Sequence, residues 1–354
     1  MKILTFFMLL LITACTSDNL VKYQPLNFPQ EEELTYTPIA RNIPSRYILD
    51  LFVTDSALIL EGNDLESFFF AYDKATGRHL QNFFKIGRGP FEGVAPNLIA
   101  INGDSCVITE SNLTKGWSFS LSGLLSGKND FYREFRFQFP EERAQMMASN
   151  AINLGNHNYI IDIPFTAEER FAIISNPYSS GEKNIKHLYK TYPKITPEAD
   201  SVNAIVLSYI NKFTASPGRT KFVTLSFIGA IAETFELRQD TLLPIAVKWF
   251  IKPEYDIFNW NAIPRGDAIM GFGSVIASDN NFYAIFYNNE YNAPANKNTI
   301  AVFDWKINPV KLYTVNDWLV TMKLDPESRI VYAVIKNRET KEYDLVKFDK
   351  QFIE

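Results

Sequence analysis

The 354-residue sequence has little of the chemistry that several protein classes require. It holds two cysteines and three histidines, too few for a disulfide scaffold or a histidine-rich metal site. Its formal net charge is −5 at pH 7, so it lacks the basic field that nucleic-acid-binding proteins carry. No segment keeps an apolar period of about 3.6 residues, which argues against a helical fold. The composition therefore predicts a globular chain with no cofactor, no structural metal and no nucleic-acid partner.

Recognisable catalytic motifs are also missing. The sequence has no Gly-x-Ser-x-Gly elbow for a serine nucleophile. The stretch Gly123–Lys128 resembles a phosphate-binding loop, but it has one residue too few between its glycines. Adjacent acidic pairs such as Glu141-Glu142 point to different sides of the chain and are typical of exposed loops. No catalytic residue is predicted, and the sequence favours a protein that is not an enzyme.

The N-terminus has the pattern of an export signal. Lys2 is followed by an apolar stretch over residues 3–12, which is shorter than the roughly 20 residues that a membrane-spanning helix needs. The stretch ends in Leu11-Ile12-Thr13-Ala14-Cys15, which resembles a bacterial lipobox. We therefore predict a lipoprotein signal peptide over residues 1–14 and lipidation of Cys15. The alternative is an ordinary cleaved signal with a chance cysteine.

Three regions follow from this interpretation. Residues 15–32 are polar and contain Pro25 and Pro29, which predicts a tether between the lipid and the folded part. Residues 33–354 are predicted to form a single domain. The acyl chains would hold the protein to a membrane of the bacterial cell envelope, on a side that the sequence does not identify.

The full sequence is rich in aromatic residues, with 29 Phe, 17 Tyr and 5 Trp, and the apolar runs of the predicted domain are short and bounded by turn residues. One type of run recurs six times at intervals of 49 to 63 residues. A strand-only repeat of this length is typical of propeller blades with four antiparallel strands. The six runs, each predicted as the second strand of a blade, are Ala57–Leu60, Cys106–Thr109, Tyr159–Asp162, Phe222–Leu225, Phe282–Ile285 and Val331–Val334.

The sixth repeat reaches Glu354 before a fourth strand appears. A segment before the first blade, Glu33–Ala40, is free to supply that strand and to remove two exposed sheet edges. We therefore predict an all-β fold, a six-bladed β-propeller of four-stranded antiparallel blades, closed by an N-terminal strand. The alternative is a pair of β-sandwiches, which explains the strands but not six similar repeats.

After the first repeat the sequence reads Ile86-Gly87-Arg88-Gly89-Pro90-Phe91-Glu92. Together with the lipobox and the six repeats, this stretch resembles the TolB-like six-bladed propeller lipoproteins of Bacteroidetes, which often carry Gly-Arg-Gly-Pro-Gly-Glu at this place. Phe91 stands where that family usually has glycine, so the loop is expected to differ in shape. The resemblance implies the propeller fold and a cell-envelope address, and it implies no particular activity.

A binding face can be predicted from the connections between blades. In a propeller, the loops that lead from a fourth strand to the next first strand lie around one end of the channel. On these loops the sequence places Arg88 and Glu92 after blade 1, and Tyr255, Trp260 and Arg265 after blade 4. Rigid aromatic side chains and arginine suit binding, and an accessible guanidinium suits a carboxylate. We predict that these five residues bind a carbohydrate, a peptide or an envelope protein.

Two functions remain open at this point. The favoured one is a non-catalytic binding or interaction protein of the cell envelope. The alternative is a glycan-active hydrolase or lyase that uses the channel face, which would require two carboxyl groups about 5–9.5 Å apart across one cavity. The deciding observation is whether charged side chains converge in the channel or apolar side chains fill it.

Overall fold

The computed structural model describes residues 22–89, 92–110, 115–128, 131–136, 151–155, 158–162, 170–175, 185–189, 211–238, 241–258, 261–293 and 298–353. Within these ranges the chain forms 28 β-strands and one short helix. None of the described segments forms a helix that is long and apolar enough to cross a membrane. The molecule is therefore built almost entirely from sheets.

Two N-terminal strands, β1 (Glu31–Glu33) and β2 (Tyr36–Ile43), precede the blades. Blade 1 consists of β3 (Tyr47–Val53), β4 (Ala57–Asn63), β5 (Ser67–Asp73) and β6 (His79–Ile86), with a short β7 (Glu92–Gly93) beside β6. Blade 2 consists of β8 (Pro96–Asn102), β9 (Ser105–Glu110), β10 (Lys115–Ser120) and, after helix α1 (Leu121–Leu125), β11 (Phe131–Arg136). Blade 3 consists of β12 (Ala151–Gly155), β13 (Asn158–Asp162), β14 (Phe171–Ser175) and β15 (Ile185–Tyr189).

The second half of the chain repeats this order. Blade 4 consists of β16 (Asn211–Ala215), β17 (Lys221–Ser226), β18 (Ala230–Arg238) and β19 (Thr241–Ile251), and it is followed by a hairpin of β20 (Tyr255–Phe258) and β21 (Asn261–Pro264). Blade 5 consists of β22 (Ile269–Ala277), β23 (Asn281–Glu290), β24 (Asn298–Asp304) and β25 (Pro309–Val315). Blade 6 consists of β26 (Trp318–Leu324), β27 (Val331–Lys336) and β28 (Tyr343–Phe348).

The recurring apolar run forms the second strand of each blade, in β4, β9, β13, β17, β23 and β27. Each of these strands lies between the first and third strands of its sheet, where both of its edges are hydrogen-bonded. This central position explains why the runs are apolar and rich in branched and aromatic residues. The six-bladed propeller prediction is confirmed, and the alternative of two β-sandwiches is wrong.

The ring closes between blades 6 and 1, as predicted. Strand β2 pairs antiparallel with β28, with Tyr36 opposite Phe348, and supplies the fourth strand of blade 6. The boundaries differ from the predicted Glu33–Ala40, because Glu33 belongs to β1, which pairs in parallel with β25 of blade 5. Leu34, which is 2% exposed, is buried between the two strands, and its amide donates to the Thr314 carbonyl. Because Leu34 is anchored to blade 5, the closing strand begins at Tyr36 rather than at Glu33.

The segment before the closing strand also contacts the blades. Residues 22–34, which we call the edge segment, lie along the outer strands of blades 4 and 5. The Tyr23 ring meets Trp249 edge-on with centroids 6.2 Å apart, and Phe28 meets Phe303 at 5.6 Å. Glu32 forms an ion pair with Lys311. The predicted tether over residues 15–32 is therefore packed against the propeller from Tyr23 onward, and residues 15–21 lie outside the described residues.

Among the described residues, hydrophobic clusters fill the spaces between neighbouring blades. One cluster joins blades 6 and 1 and includes Leu345, Leu58 and Tyr72, and another joins blades 4 and 5 around Phe303. The clusters between blades 1 and 2, 3 and 4, and 5 and 6 have the same character. The innermost strands contribute to these clusters too, for example through Leu319 and Met322 of β26.

The first strand of each blade lies nearest the axis of the ring. Around part of the channel β3 contacts β26, β26 contacts β22, and β22 contacts β16. Each first strand enters from the end that carries the connections from the preceding fourth strand, which we call the entry face. Side chains in the first half of these strands therefore lie in the part of the channel nearest to the entry face.

Candidate functional site

A cavity of about 80 Å³ lies in the channel, and side chains from blades 1, 4, 5 and 6 line it. Charged and hydroxyl groups occupy one part of its wall, and apolar side chains occupy the rest. We call this space the channel cavity. Its lining residues are Leu49, Asp50, Lys212, Phe213, Phe227, Gly273, Ser274, Val275, Tyr287, Val320, Thr321 and Lys323.

Irregularities in the first strands place polar groups in this cavity. The pairing register shifts between Ile48 and Asp50 in β3 and between Leu319 and Thr321 in β26. A further shift lies in β22, immediately before Val275. A bulge interrupts the strict alternation of a strand and redirects the side chains beside it, and bulges are common next to functional sites. Three of the four strands that form the wall are therefore bulged where they meet the cavity.

Asp50 joins blades 1 and 6 through a carboxylate whose two oxygens both have partners. Its Oδ1 accepts hydrogen bonds from Thr321 Oγ1 at 2.9 Å and from the Leu51 amide at 2.8 Å. Its Oδ2 lies 3.0 Å from Lys323 Nζ. Burial pushes the pKa of Asp50 upward, but Lys323, Lys212 and the Leu51 amide outweigh burial and lower the pKa below its ordinary value. Asp50 is therefore ionised at neutral pH and holds Thr321 and Lys323 in place.

Ser274 extends this network to blade 5. Its Oγ lies 3.2 Å from Thr321 Oγ1 and 3.1 Å from the Met322 carbonyl oxygen. Because Thr321 donates its one proton to Asp50, the Ser274 hydroxyl donates to one of these two oxygens. Both hydroxyl groups are almost fully buried, since Ser274 is 9% exposed and Thr321 is 1% exposed. The polar wall is therefore a connected structure across three blades rather than a set of mobile surface side chains.

Glu61 lies behind Asp50 on the neighbouring strand. The two residues are directly opposite in the pairing of β3 with β4, and Glu61 is 5% exposed. Burial, followed by the charge of Asp50, raises the pKa of Glu61 to about 8, although the Leu98 amide donates to its Oε2 at 3.1 Å. Like charges directly opposite in a sheet repel each other. Glu61 is therefore largely protonated at pH 7. Among Asp50, Glu61, Lys212 and Lys323, only Asp50 then carries a negative charge.

Lys212 differs from the other charged groups in the cavity. It is half-buried on β16 of blade 4, and across the described residues its ammonium has no hydrogen bond or ion pair. Two lysines thus face one ionised carboxylate, because Glu61 is neutral at pH 7. The channel cavity consequently carries one excess positive charge.

The remaining wall is aromatic. Tyr287 stacks on Trp318 with ring centroids 4.9 Å apart, and Phe227 meets Tyr287 edge-on at 6.0 Å. Gly273 allows this arrangement, because a Cβ atom there would lie 2.6 Å from Tyr287 Oη. The cavity therefore combines hydrogen-bond donors on one side with a flat apolar surface on the other.

The predicted loop residues after blade 1 form a compact turn. Arg88 is exposed, and the Glu92 carboxylate folds back over the glycines to accept the Gly89 amide at 2.7 Å. A Cβ atom on Gly87 would lie 1.9 Å from Glu92 Oε2, so a larger residue there would displace the Glu92 carboxylate from this turn. Glu92 therefore shapes the turn that presents Arg88. Pro90 and Phe91 lie outside the described residues.

The predicted loop after blade 4 is a hairpin of β20 and β21 rather than an irregular loop. Tyr255 is half-buried against the cluster between blades 5 and 6, and burial raises its pKa. Arg265 donates to both carboxylate oxygens of Asp267, at 3.1 and 3.0 Å, and also lies 3.7 Å from Glu254. Trp260 lies outside the described residues. That the five loop residues form one binding face stays a prediction.

Sequence reasoning missed the channel cavity entirely. A signal was available in the first strands, where Asp50, Thr321 and Lys323 interrupt runs that are otherwise apolar. Among the described residues, no group of three or more histidine, cysteine or acidic side chains could hold a metal ion. Cys106 is buried, and burial raises the pKa of its thiol to about 12, which makes it unreactive.

Comparisons with solved structures show the same architecture. A candidate exported protein of Bacteroides fragilis matches with a TM-score of 0.57 and 10% identity over 90% of this chain and 98% of that chain. A member of the DUF4221 family from Bacteroides vulgatus matches at 0.53 and 11% identity, over 90% and 96%. A calcium-binding regucalcin from Agrobacterium tumefaciens matches at 0.52 and 10%, over 90% and 95%. At these identities the likeness shows the fold alone.

A search of curated protein sequences gives no match. The family model described as TolB-like 6-blade propeller-like matches residues 39–327, which run from the closing strand into blade 6. The match covers most of the chain and agrees with the observed ring of six blades. The chain therefore belongs to the TolB-like six-bladed propeller family.

Proposed function

We propose that this protein is a non-catalytic binding protein of the bacterial cell envelope, anchored through a lipid on Cys15, and that its ligand enters the channel cavity from the entry face. The observation that carries the binding role is the convergence of Asp50, Lys212 and Lys323, from three different blades, on one cavity. The lipobox and the exported-protein relative from Bacteroides fragilis support the envelope location.

The state of the two carboxyl groups favours binding over hydrolysis. A carboxylate that acts as nucleophile or base needs an accessible lone pair on the substrate side. Asp50 instead has both oxygens engaged by Thr321, Lys323 and the Leu51 amide. Glu61 is buried behind it and accepts the Leu98 amide. Asp50 therefore serves to hold Lys323 rather than to transfer a proton.

One observation favours the second candidate function, a glycan-active hydrolase or lyase. A carboxyl group whose pKa is raised to about 8 beside an ionised carboxylate is an arrangement that glycosidases use for acid catalysis. One relative by fold is named as a luciferin-regenerating enzyme, which is a property of that protein. A glycan library incubated with the protein would reveal cleaved products if this function applied. An inactive Glu61→Gln variant would then identify the acid.

The loop residues form the outer part of the proposed site. Arg88 is exposed on a stiff turn, and Tyr255, Trp260 and Arg265 belong to the connection after blade 4. A carbohydrate, peptide or envelope protein that reaches into the channel would pass these residues. We propose that they contact the body of the ligand while the channel cavity receives its end.

Two experiments test the two parts of this proposal. A Cys15→Ala variant should lose incorporation of labelled fatty acid and leave the membrane fraction, and unchanged labelling would contradict the anchor. For binding, the full-length protein in detergent is screened by thermal shift against carbohydrates, peptides and small acids. A hit that Lys323→Met abolishes and exposed Lys306→Met retains would support the channel, whereas a hit insensitive to both would place the site elsewhere.

A further inference from the structure

The balance of donors and acceptors in the channel cavity identifies the chemistry of its ligand. Lys212 offers three N–H donors that no described protein group uses, and Lys323 uses one donor on Asp50. Asp50 already accepts three hydrogen bonds, from Thr321, the Leu51 amide and Lys323. The charged groups of the cavity therefore offer more unused donors than unused acceptors. This balance favours a ligand group that accepts hydrogen bonds.

The charge and the volume of the channel cavity further restrict the class of ligand that can bind there. With Asp50 ionised and Glu61 protonated, the two lysines leave an excess of one positive charge, which a monoanion neutralises and a dianion would exceed. A cavity of about 80 Å³ has room for a small functional group with a short substituent. The aromatic and aliphatic wall formed by Phe213, Tyr287 and Val320 suits a short carbon chain.

We propose that the channel cavity is a binding site for a monocarboxylate, with the carboxylate between Lys212 and Lys323 and its carbon substituent against the apolar wall. This inference rests on the proposed function and names the ligand class for the same site. Asp50 positions Lys323, and Lys212 forms with the ligand the charge-assisted hydrogen bond that it forms with none of the described protein groups. The carboxylate belongs either to a free short-chain acid or to the end of a larger molecule that reaches in from the entry face.

The test uses 19F NMR of fluoroacetate with the full-length protein in detergent, and fluoroacetamide serves as the neutral analogue of nearly equal shape. The wild type should broaden the fluoroacetate signal in a saturable way and leave the fluoroacetamide signal unchanged. Lys212→Met should weaken fluoroacetate binding at least about tenfold, since a hydrogen bond to a charged group is lost. Lys212→Arg should keep most of the affinity, and Lys306→Met, on an exposed turn, should keep all of it.

A second arm distinguishes the source of the carboxylate. A hexapeptide with a free C-terminus should displace fluoroacetate if the end of a larger molecule is recognised, and its C-terminal amide should not. Displacement by butyrate alone would identify a free short-chain acid. Equal fluoroacetate binding by wild type and by a folded Lys212→Met protein would overturn the inference. Absence of fluoroacetate binding would also overturn it, and the proposed function would then survive only if the thermal-shift screen gave a different ligand sensitive to Lys323→Met.

Discussion

The channel cavity and the loops around it both contain basic and acidic side chains, but they use them differently. In the loops, Arg265 is 44% exposed and is already paired with Asp267 and Glu254. In the channel, Lys212 has no hydrogen bond or ion pair among the described residues, and the nearby Asp50 carboxylate is paired with Lys323. The comparison indicates that the cation available to an anion is the half-buried Lys212, because the more exposed Arg265 is already paired.

The two regions differ in how far apart their interacting residues lie in the sequence. Arg265 and Asp267 are two residues apart and can meet in a local turn, and such exposed pairs contribute about 0–1 kcal/mol. Asp50, Thr321 and Lys323 come from opposite ends of the chain and meet only because the ring is closed. The channel cavity is therefore a property of the whole fold, whereas the loop pairs are properties of their turns.

Opening the ring should have the largest effect, because the channel cavity depends on ring closure and the loop pairs do not. Deletion of the residues up to Ile43 removes β2, exposes the edge of β28 and uncouples blade 6 from blade 1. We expect the melting temperature to fall by roughly 10 °C and fluoroacetate binding to disappear. Deletion of residues 1–21 alone, which leaves the edge segment, is the control and should change neither. A truncated protein without β2 that melts like the control would contradict closure by this strand.

Removing a cation from the channel or from a loop should give the next largest difference in affinity. Lys212→Met should lower the affinity for fluoroacetate at least about tenfold, because its partner-free ammonium is lost. Arg265→Met and Arg88→Ala should change that affinity less than about twofold, because exposed charges at this distance are screened. 19F NMR titrations of the three variants at one ionic strength provide the comparison. A larger loss in Arg265→Met than in Lys212→Met would reverse the roles assigned to the two regions.

The pH dependence of binding follows from Glu61. Its pKa is raised to about 8, so it is neutral at pH 6.5 and ionised at pH 9.5, where it cancels the excess positive charge. The affinity for fluoroacetate should therefore fall as the pH rises through about 8, by about tenfold for a unit charge several ångströms away. The charged groups near Glu61 are Asp50 on β3, Lys323 on β26 and Lys212 on β16. Glu61→Gln should bind with nearly constant affinity from pH 6.5 to 9.5, and a wild-type slope in that variant would exclude Glu61 as the cause.

Replacing a paired aspartate by asparagine should have the smallest effect, and this effect is on the melting temperature. Asp50→Asn removes a carboxylate that accepts from Thr321, the Leu51 amide and Lys323, and it should lower the melting temperature by several degrees. Asp267→Asn removes an exposed pair and should shift the melting temperature by less than about 1 °C. Equal shifts measured by differential scanning calorimetry would show that the channel network is no more important to the fold than a surface pair.

Much of the fold could be predicted from the sequence, because the signal is local and repeated. The second strand of each blade has both edges bonded and both faces covered, so each one is an apolar run between turn residues. The sixth repeat lacks a fourth strand, and the segment before blade 1 was the one left to supply it, so the closing strand could be predicted. The split between β1 and β2 could not be predicted, because it depends on where Leu34 is buried between blades 5 and 6 in the assembled ring.

The site was harder to predict, for a reason visible in the first strands. Period-two alternation assigns side chains to faces, and the bulges before Asp50 and Thr321 break that alternation. The sequence also gives no indication that Lys212 of blade 4 approaches residues of blades 1 and 6 across the channel. Loops with arginine and aromatic residues were recognisable, whereas single polar residues inside apolar strands gained meaning only from the closed ring.

The measurement that tests the central claim most directly is the location of an anion in the crystallised protein. Crystals soaked in sodium bromide at pH 6.5 would mark anion sites by anomalous scattering, and bromide is small enough for the channel cavity. The strongest bromide peak should lie in that cavity within reach of Lys212 and Lys323, with weaker peaks or none at Arg88 and Arg265. A strongest peak at either arginine, with no bromide in the cavity, would contradict the account.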